Sequence, residues 1–255
     1  MAIDLIQSDC IQAMRQLDDN CIDLVLTDPP YNLASFMKNR DTNLNKLREN
    51  FFVNAGWDDM DFDDWIQSMD AFFEEAARVA KKGSAMIIFM AIIKVETIIR
   101  IAERHGFYYK TTGIWHKTNP MPRNMNLHFV NSTEAWIYFT YKTRTGTFNN
   151  NGNLYHDFIE TSVTPNSERR FGKHPTQKPE ALIQHFVELL TNENECVLDP
   201  FMGSGTTGVI CKRMNRNFIG IELNAEYAEM STMRIEKERT KGIRIDLWAK
   251  DGDDE

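Results

Sequence analysis

Two short runs carry the chemistry legible in this chain. Asp28-Pro29-Pro30-Tyr31 sets a carboxylate, two residues without a backbone N–H and an aromatic ring side by side. Asp199-Pro200-Phe201-Met202-Gly203-Ser204-Gly205-Thr206-Thr207-Gly208 spaces its glycines as G-x-G-x-x-G. Glycines let a backbone turn sharply and approach a ligand that a Cβ would block. Glu222 follows nineteen residues beyond Gly203, where a carboxylate can accept both hydrogen bonds of a ribose diol. In the first run, an amino group carried by a flat ring can give one N–H to Asp28 and the other to a carbonyl, most simply that of Pro29. Such an amine is a poor nucleophile, because its lone pair is delocalised into the ring. Two acceptors orient it and stabilise the positive charge that builds on nitrogen during attack. Tyr31 supplies a face on which a base can stack. The plain alternatives are a stiff turn ending a strand and a glycine turn that serves only close packing.

The acid ahead of the glycines bears on the identity of the nucleoside. A dinucleotide needs a helix N-terminus free to meet its pyrophosphate. Asp199 would sit near that phosphate and repel it, but it suits a ligand with a cationic amino group. This points away from a nicotinamide dinucleotide and toward S-adenosylmethionine, whose methionine end carries an ammonium.

Positioning these runs requires strands that end at one edge of a sheet. Strand-like and helix-like pieces alternate, which predicts an α/β protein with a doubly wound, mostly parallel sheet. Strands are expected at Ile3–Gln7, Ile22–Thr27, Ser84–Met90, Tyr108–Trp115, Thr133–Tyr141, Cys196–Asp199 and Phe218–Glu222. Helices are expected at Ile11–Leu17, Asp61–Lys82, Ile92–His105, Pro179–Leu190, Thr206–Met214 and Ala225–Arg239. Open sheets of this kind bind ligands outside the carboxyl ends of their strands, where Asp28, Asp199 and Glu222 would stand. Residues 32–57 show no period and are long for a connection, which marks them as functional or mobile. Residues 142–172 are rich in Asn, Gly, Thr and Ser with weak core signals, so a surface-exposed insertion of about 143–172 is expected within a single domain of 1–255. The tail, 245–255, is expected to be disordered.

The 255 residues are enough for a full core, and the 42% hydrophobic and 26% charged content is that of an ordinary globular protein. Met1-Ala2-Ile3-Asp4 leads straight into a strand-like pattern, which predicts no leader, and the longest apolar run, Ala85–Ile93, is too short to span a bilayer. Cys10, Cys21, Cys196 and Cys211 have no metal-ligand spacing, so reduced thiols, a cytoplasmic location and no bound metal are expected. His105, His116, His128, His156 and His185 have no evident nucleophile or metal partner. The net charge of −8 argues against nucleic acid when taken alone. Its distribution does not: between Arg104 and Lys178 ten Lys/Arg stand against four Asp/Glu, a local net of +6, and the remainder carries −14. A basic stretch on an acidic body can still track phosphates.

The chain resembles the bacterial and phage DNA amino-methyltransferases of the β-class, in which the catalytic motif precedes the cofactor motif. Ser8-Asp9-Cys10, Asp28-Pro29-Pro30-Tyr31-Asn32-Leu33, His174-Pro175-Thr176-Gln177-Lys178-Pro179, Asp199 to Gly205, and Gly220-Ile221-Glu222 carry the resemblance, which runs from Leu5 to about Glu236. It implies a Rossmann-like class I methyltransferase fold. It also implies methyl transfer from S-adenosylmethionine to the N6 of an adenine flipped out of DNA, since Asp-Pro-Pro-Tyr usually goes with adenine. Phe201, Gly203, Ser204, Gly205 and Thr206 would line the cofactor pocket, with Cys10 beside Asp9. Glu222 would hold the ribose and Asp9 the cofactor's adenine amino group. Asp199, His174 and Lys178 would bracket the methionine end, Lys178 taking its carboxylate. Asn119-Pro120-Met121-Pro122-Arg123-Asn124 looks like the family's loop near the flipped base, and 142–172 sits where the family keeps its target-recognition region. Asn32, Asn119, Arg123, Arg144, Arg169, Arg170 and Lys173 are the DNA-contact candidates, being residues of the types that meet phosphates and base edges. The family often dimerises, and restriction nucleases accompany some of its members; neither partner is legible here. Three rivals stand: N4-cytosine methylation on the same scaffold, a nicotinamide oxidoreductase, and a DNA-binding protein without activity.

Overall fold

The computed structural model describes residues 1–33, 60–121, 126 and 129–238. In chain order its elements are β1 (Ile3–Gln7), α1 (Cys10–Met14), β2 (Ile22–Thr27), α2 (Phe62–Val79), β3 (Ala80–Met90), α3 (Val95–Arg104), β4 (Phe107–Lys117), β5 (Thr133–Tyr141), β6 (Phe158–Thr161), α4 (Glu180–Leu190), β7 (Cys196–Asp199), α5 (Thr206–Arg213), β8 (Asn217–Glu222) and α6 (Ala225–Lys237). Short 3₁₀ turns precede α3 and cover Asn166–Arg169.

The strands form one eight-stranded sheet in the order β1-β8-β7-β2-β3-β5-β4-β6. The first five run parallel; β5 is antiparallel to both β3 and β4, and β6 is parallel to β4. The parallel strands are apolar on both faces because helices cover both. On one face Ala13, Met14, Trp65, Phe72, Phe73, Ile98 and Ile101 pack on Val25, Met86 and Ile88. On the other, Leu182, Phe186, Val209, Ile210 and Ile235 pack on Leu24, Ile87 and Phe218.

Two departures from the expected elements have physical causes. β3 begins at Ala80 rather than Ser84, because Val79 ends α2 and Ala80 pairs at once with Ile22. The second lies within 142–172, which is not wholly an insertion. Phe158–Thr161 adds an eighth strand along β4, and its Trp115–Thr161 side-chain hydrogen bond (2.8 Å) fastens it there. Four residues with an alternating half-exposed pattern give too weak a periodic signal to be read as a strand. Residues 34–57 and the tail lie outside the described residues.

Candidate active site

The carboxyl ends of β2, β7 and β8 bring Asp28, Asp199 and Glu222 to one edge of the sheet, and the antiparallel pair delivers the start of β5 and the end of β4 to the same edge. Two groups of residues are built there.

The first is the glycine turn. Gly203 and Gly205 have φ of +52° and +75°, a region that L side chains rarely adopt. A Cβ on Gly205 would lie 2.7 Å from that of Ser231, so α6 packs against this turn at a distance only glycine allows. The Glu222 carboxylate accepts the Gly203 N–H at 2.8 Å and the Asn224 N–H at 2.8 Å. A carboxylate has about four acceptor positions, so two remain for hydroxyl donors. Asp9 caps α1 by accepting the Gln12 N–H at 3.0 Å, next to Glu222 across the β1–β8 pair. Cys10, the first residue of α1, is half-buried, and burial pushes its thiol up to about 12. Phe201 packs on Phe72, and the His174 ring stands edge-on to Tyr227 at 4.5 Å between centroids. Burial, reinforced by Lys178 and Arg234, lowers His174 to about 4, so this imidazole is neutral at neutral pH.

Ser204, Thr206 and Thr207 at the start of α5 are buried. Thr206 Oγ1 donates to the Lys178 carbonyl at 3.2 Å, and Arg234 donates to the Ser204 carbonyl at 2.5 Å. The protein itself covers this helix start, which leaves no open N-terminus for a pyrophosphate. Acceptor carboxylates beside a glycine turn fit the adenosyl end of S-adenosylmethionine.

Two residues expected at the methionine end of the ligand have partners within the chain. Asp199, expected to bracket an ammonium, is 5% exposed and takes three donors from its own chain: Thr27 Oγ1 at 3.0 Å, Thr207 Oγ1 at 2.7 Å and the Phe201 N–H at 3.3 Å. It ties β2, the turn and α5 together, and burial raises its carboxyl to about 7. Lys178, expected at a carboxylate of the ligand, instead makes ion pairs with the side chains of Asp28 and Glu134.

The second group surrounds Asp28. Its Oδ1 accepts the Tyr31 hydroxyl at 2.6 Å, and its Oδ2 accepts the Lys178 ammonium. The same Tyr31 hydroxyl lies 3.2 Å from Glu134 Oε2, as does Lys178 Nζ. Lys117 holds the other Glu134 oxygen at 2.5 Å. Burial raises the Asp28 carboxyl; Lys178 lowers it and Glu134 raises it further, with a net shift upward. Burial would raise Glu134 too, but Lys178 and Lys117 outweigh it and hold that carboxyl at about 2. The Trp65 indole donates to the Pro30 carbonyl at 3.0 Å. Among the acceptors of this loop, Pro30 is thereby anchored to α2. Asn32 follows with φ +50°, its side chain 1% exposed, and neither its amide nitrogen nor its oxygen has a hydrogen-bond partner among the described residues.

Glu134, Lys117 and Trp65 were not expected here. Glu134 had one sequence signal, an acid at the start of an otherwise apolar strand pattern; Trp65 falls on the helix expected at Asp61–Lys82 and carries no signal of its own. Trp136 packs on Phe186 in the core.

The DNA-contact candidates divide. Arg169, Arg170 and Lys173 lie between β6 and α4, in a segment fastened to the site through Thr164–Gln177 (2.5 Å) and Gln177–Glu168 (3.0 Å) hydrogen bonds. Arg170 and Lys173 are exposed. Asn119 is at the same end of the sheet, its side-chain oxygen accepting the Val163 N–H at 2.8 Å. Arg144 is elsewhere. It follows β5, its carbonyl accepts from Lys110, and its guanidinium lies over Tyr108. Seven residue steps along β5 take the chain from Glu134 to Tyr141, roughly 23 Å at about 3.3 Å each, so Arg144 stands at the sheet end away from Asp28. Arg123 and Asn124 lie outside the described residues.

The open α/β sheet thus carries a glycine turn, Glu222 and an Asp-Pro-Pro-Tyr loop at one edge. Residues 22–233 match the family model described as DNA methylase, and the chain belongs to that family. It is 32% identical over 251 residues to the type II methyltransferase M.HpaI of Haemophilus parainfluenzae, covering 92% of this chain and 74% of that protein. It is 31% identical over 250 residues to the type II methyltransferase M2.LlaDCHI of Lactococcus lactis subsp. cremoris, covering 94% and 91%. Among solved structures, the M1.HpyAVI–SAM complex superposes with a TM-score of 0.69 at 29% identity, covering 91% of this chain and 98% of that one. The cytosine-N4-specific PvuII DNA methyltransferase superposes with a TM-score of 0.73 at 18% identity over 92% and 86% of the two chains, a likeness of fold.

Proposed function

We propose that this protein transfers the methyl group of S-adenosylmethionine to the N6 of an adenine in DNA. The observation that carries the reading is the Asp28 carboxylate at the end of β2, in a loop whose two prolines bring carbonyl acceptors and no backbone N–H. S-adenosylmethionine supplies an electrophilic methyl group. Membership of the DNA methylase family and the likeness to M1.HpyAVI, solved with SAM, support that donor.

Each residue then has a task. Glu222 accepts the ribose hydroxyls with the acceptor positions its two backbone donors leave open, and Asp9 accepts the adenine amino group of the cofactor. Phe201, Gly203, Ser204, Gly205 and Thr206 frame the pocket, with His174 and Tyr227 as its aromatic flank. Asp28 and the Pro29 carbonyl accept the two N–H groups of the target amine and orient its lone pair toward the methyl group. Tyr31 stacks on the target ring. Asn32 meets the base: a buried carboxamide without partners costs about 1–3 kcal/mol, which a base edge would offset. Arg169, Arg170 and Lys173 follow the phosphates.

Asp28 rather than a serine favours adenine over N4-cytosine. The covered start of α5 speaks against the oxidoreductase. Unmodified DNA incubated with the protein and S-adenosylmethionine, then digested for nucleoside mass spectrometry, tests the reading.

A further inference from the structure

Four elements converge on Asp28, and one residue links them. Glu134, second residue of β5, shares Lys178 with Asp28, lies within reach of the Tyr31 hydroxyl, and is held from behind by Lys117 at the end of β4. Two carboxylates and two ammoniums make a network with no net charge. We propose that Glu134 is a positioning residue for methyl transfer: it is the second acceptor onto which Tyr31 and Lys178 shift when the target amine takes up Asp28. The proposal rests on the reading of Asp28 as the acceptor of that amine.

The geometry gives the reason. Both Asp28 oxygens already have donors, Tyr31 on Oδ1 at 2.6 Å and Lys178 on Oδ2. About two acceptor positions remain on Asp28, but an amine that takes one shares the carboxylate's charge with two donors already held and weakens their hold. Buried donors without an acceptor are costly, so a donor is released only toward another acceptor. Glu134 Oε2 is that acceptor for both, at 3.2 Å from each. The Tyr31 proton needs only a rotation about the C–O bond to pass from Asp28 to Glu134. Lys178 has three protons and keeps both partners while its balance changes. Lys117 fixes Glu134 Oε1 and keeps the carboxylate charged, so Oε2 stays available. A buried ion network is weak evidence for stability, because well-packed apolar side chains would serve at least as well.

Two substitutions in the full-length protein have opposite expected effects. Among the described residues, the groups facing Asp28 are Tyr31 on its own loop, Lys178 ahead of α4 and Glu134 on β5, with Lys117 on β4 behind Glu134 and Asp199 at the end of β7. Glu134→Gln removes a negative charge and leaves Lys178 wholly to Asp28. Asp28 is then harder to protonate and its donors are harder to displace. The expected result is a kcat lowered about tenfold or more, with S-adenosylmethionine affinity within about threefold of wild type and the acid limb of the kcat profile moved to lower pH. Lys117→Met leaves Glu134 free to draw Lys178 off Asp28, which moves the acid limb to higher pH. Glu134→Asp keeps the charge and is expected to restore part of kcat.

Limbs that move the same way in both variants, or a Glu134→Gln enzyme with unchanged kcat and profile, would overturn the assignment. Should Glu134→Gln fail to fold, Lys117→Met decides: an unmoved limb overturns the proposal and an upward shift supports it. Wild-type protein that methylates while the two limbs do not diverge sinks the Glu134 role alone. Wild-type protein that makes no methylated DNA sinks the underlying reading with it.

Discussion

The Gly203 amide donates to Glu222 Oε2 at 2.8 Å, which joins the glycine turn and the acid nineteen residues beyond it into one unit. In the proposed function the carboxylate has two duties: it fixes the turn, and it presents its remaining acceptor positions to a ribose. Glu222→Gln keeps one acceptor oxygen and loses the charge. S-adenosylmethionine binding, measured by calorimetry, is expected to weaken about tenfold to a hundredfold, the loss of about 1.4–2.8 kcal/mol that charged hydrogen bonds supply.

Asp28→Ala separates chemistry from cofactor binding. The side chain touches Tyr31 and Lys178, while the glycine turn relies on Glu222 and Asp199. Methylation is expected to disappear while cofactor affinity stays largely intact. A variant with full activity would remove Asp28 from the mechanism.

Much of this site was legible in sequence because its motifs are local. The Asp28-Pro29-Pro30-Tyr31 run ends a strand with two prolines, and the glycine turn sits between a strand and a helix; neighbours in the chain carry both signals. β1, β2, β5 and β7 fell where continuous apolar runs put them. The Glu134 network was not legible, since Lys117, Glu134 and Lys178 meet only through the β4–β5 register and the packing ahead of α4. The position of Arg144 at the other end of β5 was not legible for the related reason that composition does not say at which end of a sheet a loop emerges. Lys178 and Asp199 were recognised as important, but their partners belong to the chain itself.

Trp65 is expected to matter beyond packing. Its indole N–H holds the Pro30 carbonyl at 3.0 Å and so fixes the loop that carries Asp28. Trp65→Phe keeps an aromatic ring in the core and leaves that carbonyl without its donor. The expected outcome is a loss of about 1–2 kcal/mol in stability by urea unfolding and a several-fold drop in kcat with little change in cofactor affinity.

His174 gives a pH dependence whose sign follows from its burial. Its pKa in the fold is about 4, below the ordinary 6.5, because burial and the nearby Lys178 and Arg234 disfavour the cation. Between those values the unfolded chain binds the proton and the folded protein does not. The stability contribution is therefore complete above about pH 6.5 and is lost as pH falls toward about 4. His174→Asn is expected to flatten this part of the stability curve, followed by urea midpoints from pH 7 to pH 4. An equally steep decline in the variant would assign the slope to other groups.

The most direct test of methyl transfer to adenine is the product itself. Unmodified duplex DNA, incubated with the protein and S-adenosylmethionine and digested to nucleosides, is expected to contain N6-methyladenine by mass spectrometry, absent from the same reaction with Asp28→Ala. N4-methylcytosine in its place would contradict the base assignment while keeping the mechanism, and no methylated nucleoside from folded, cofactor-binding protein would contradict the function.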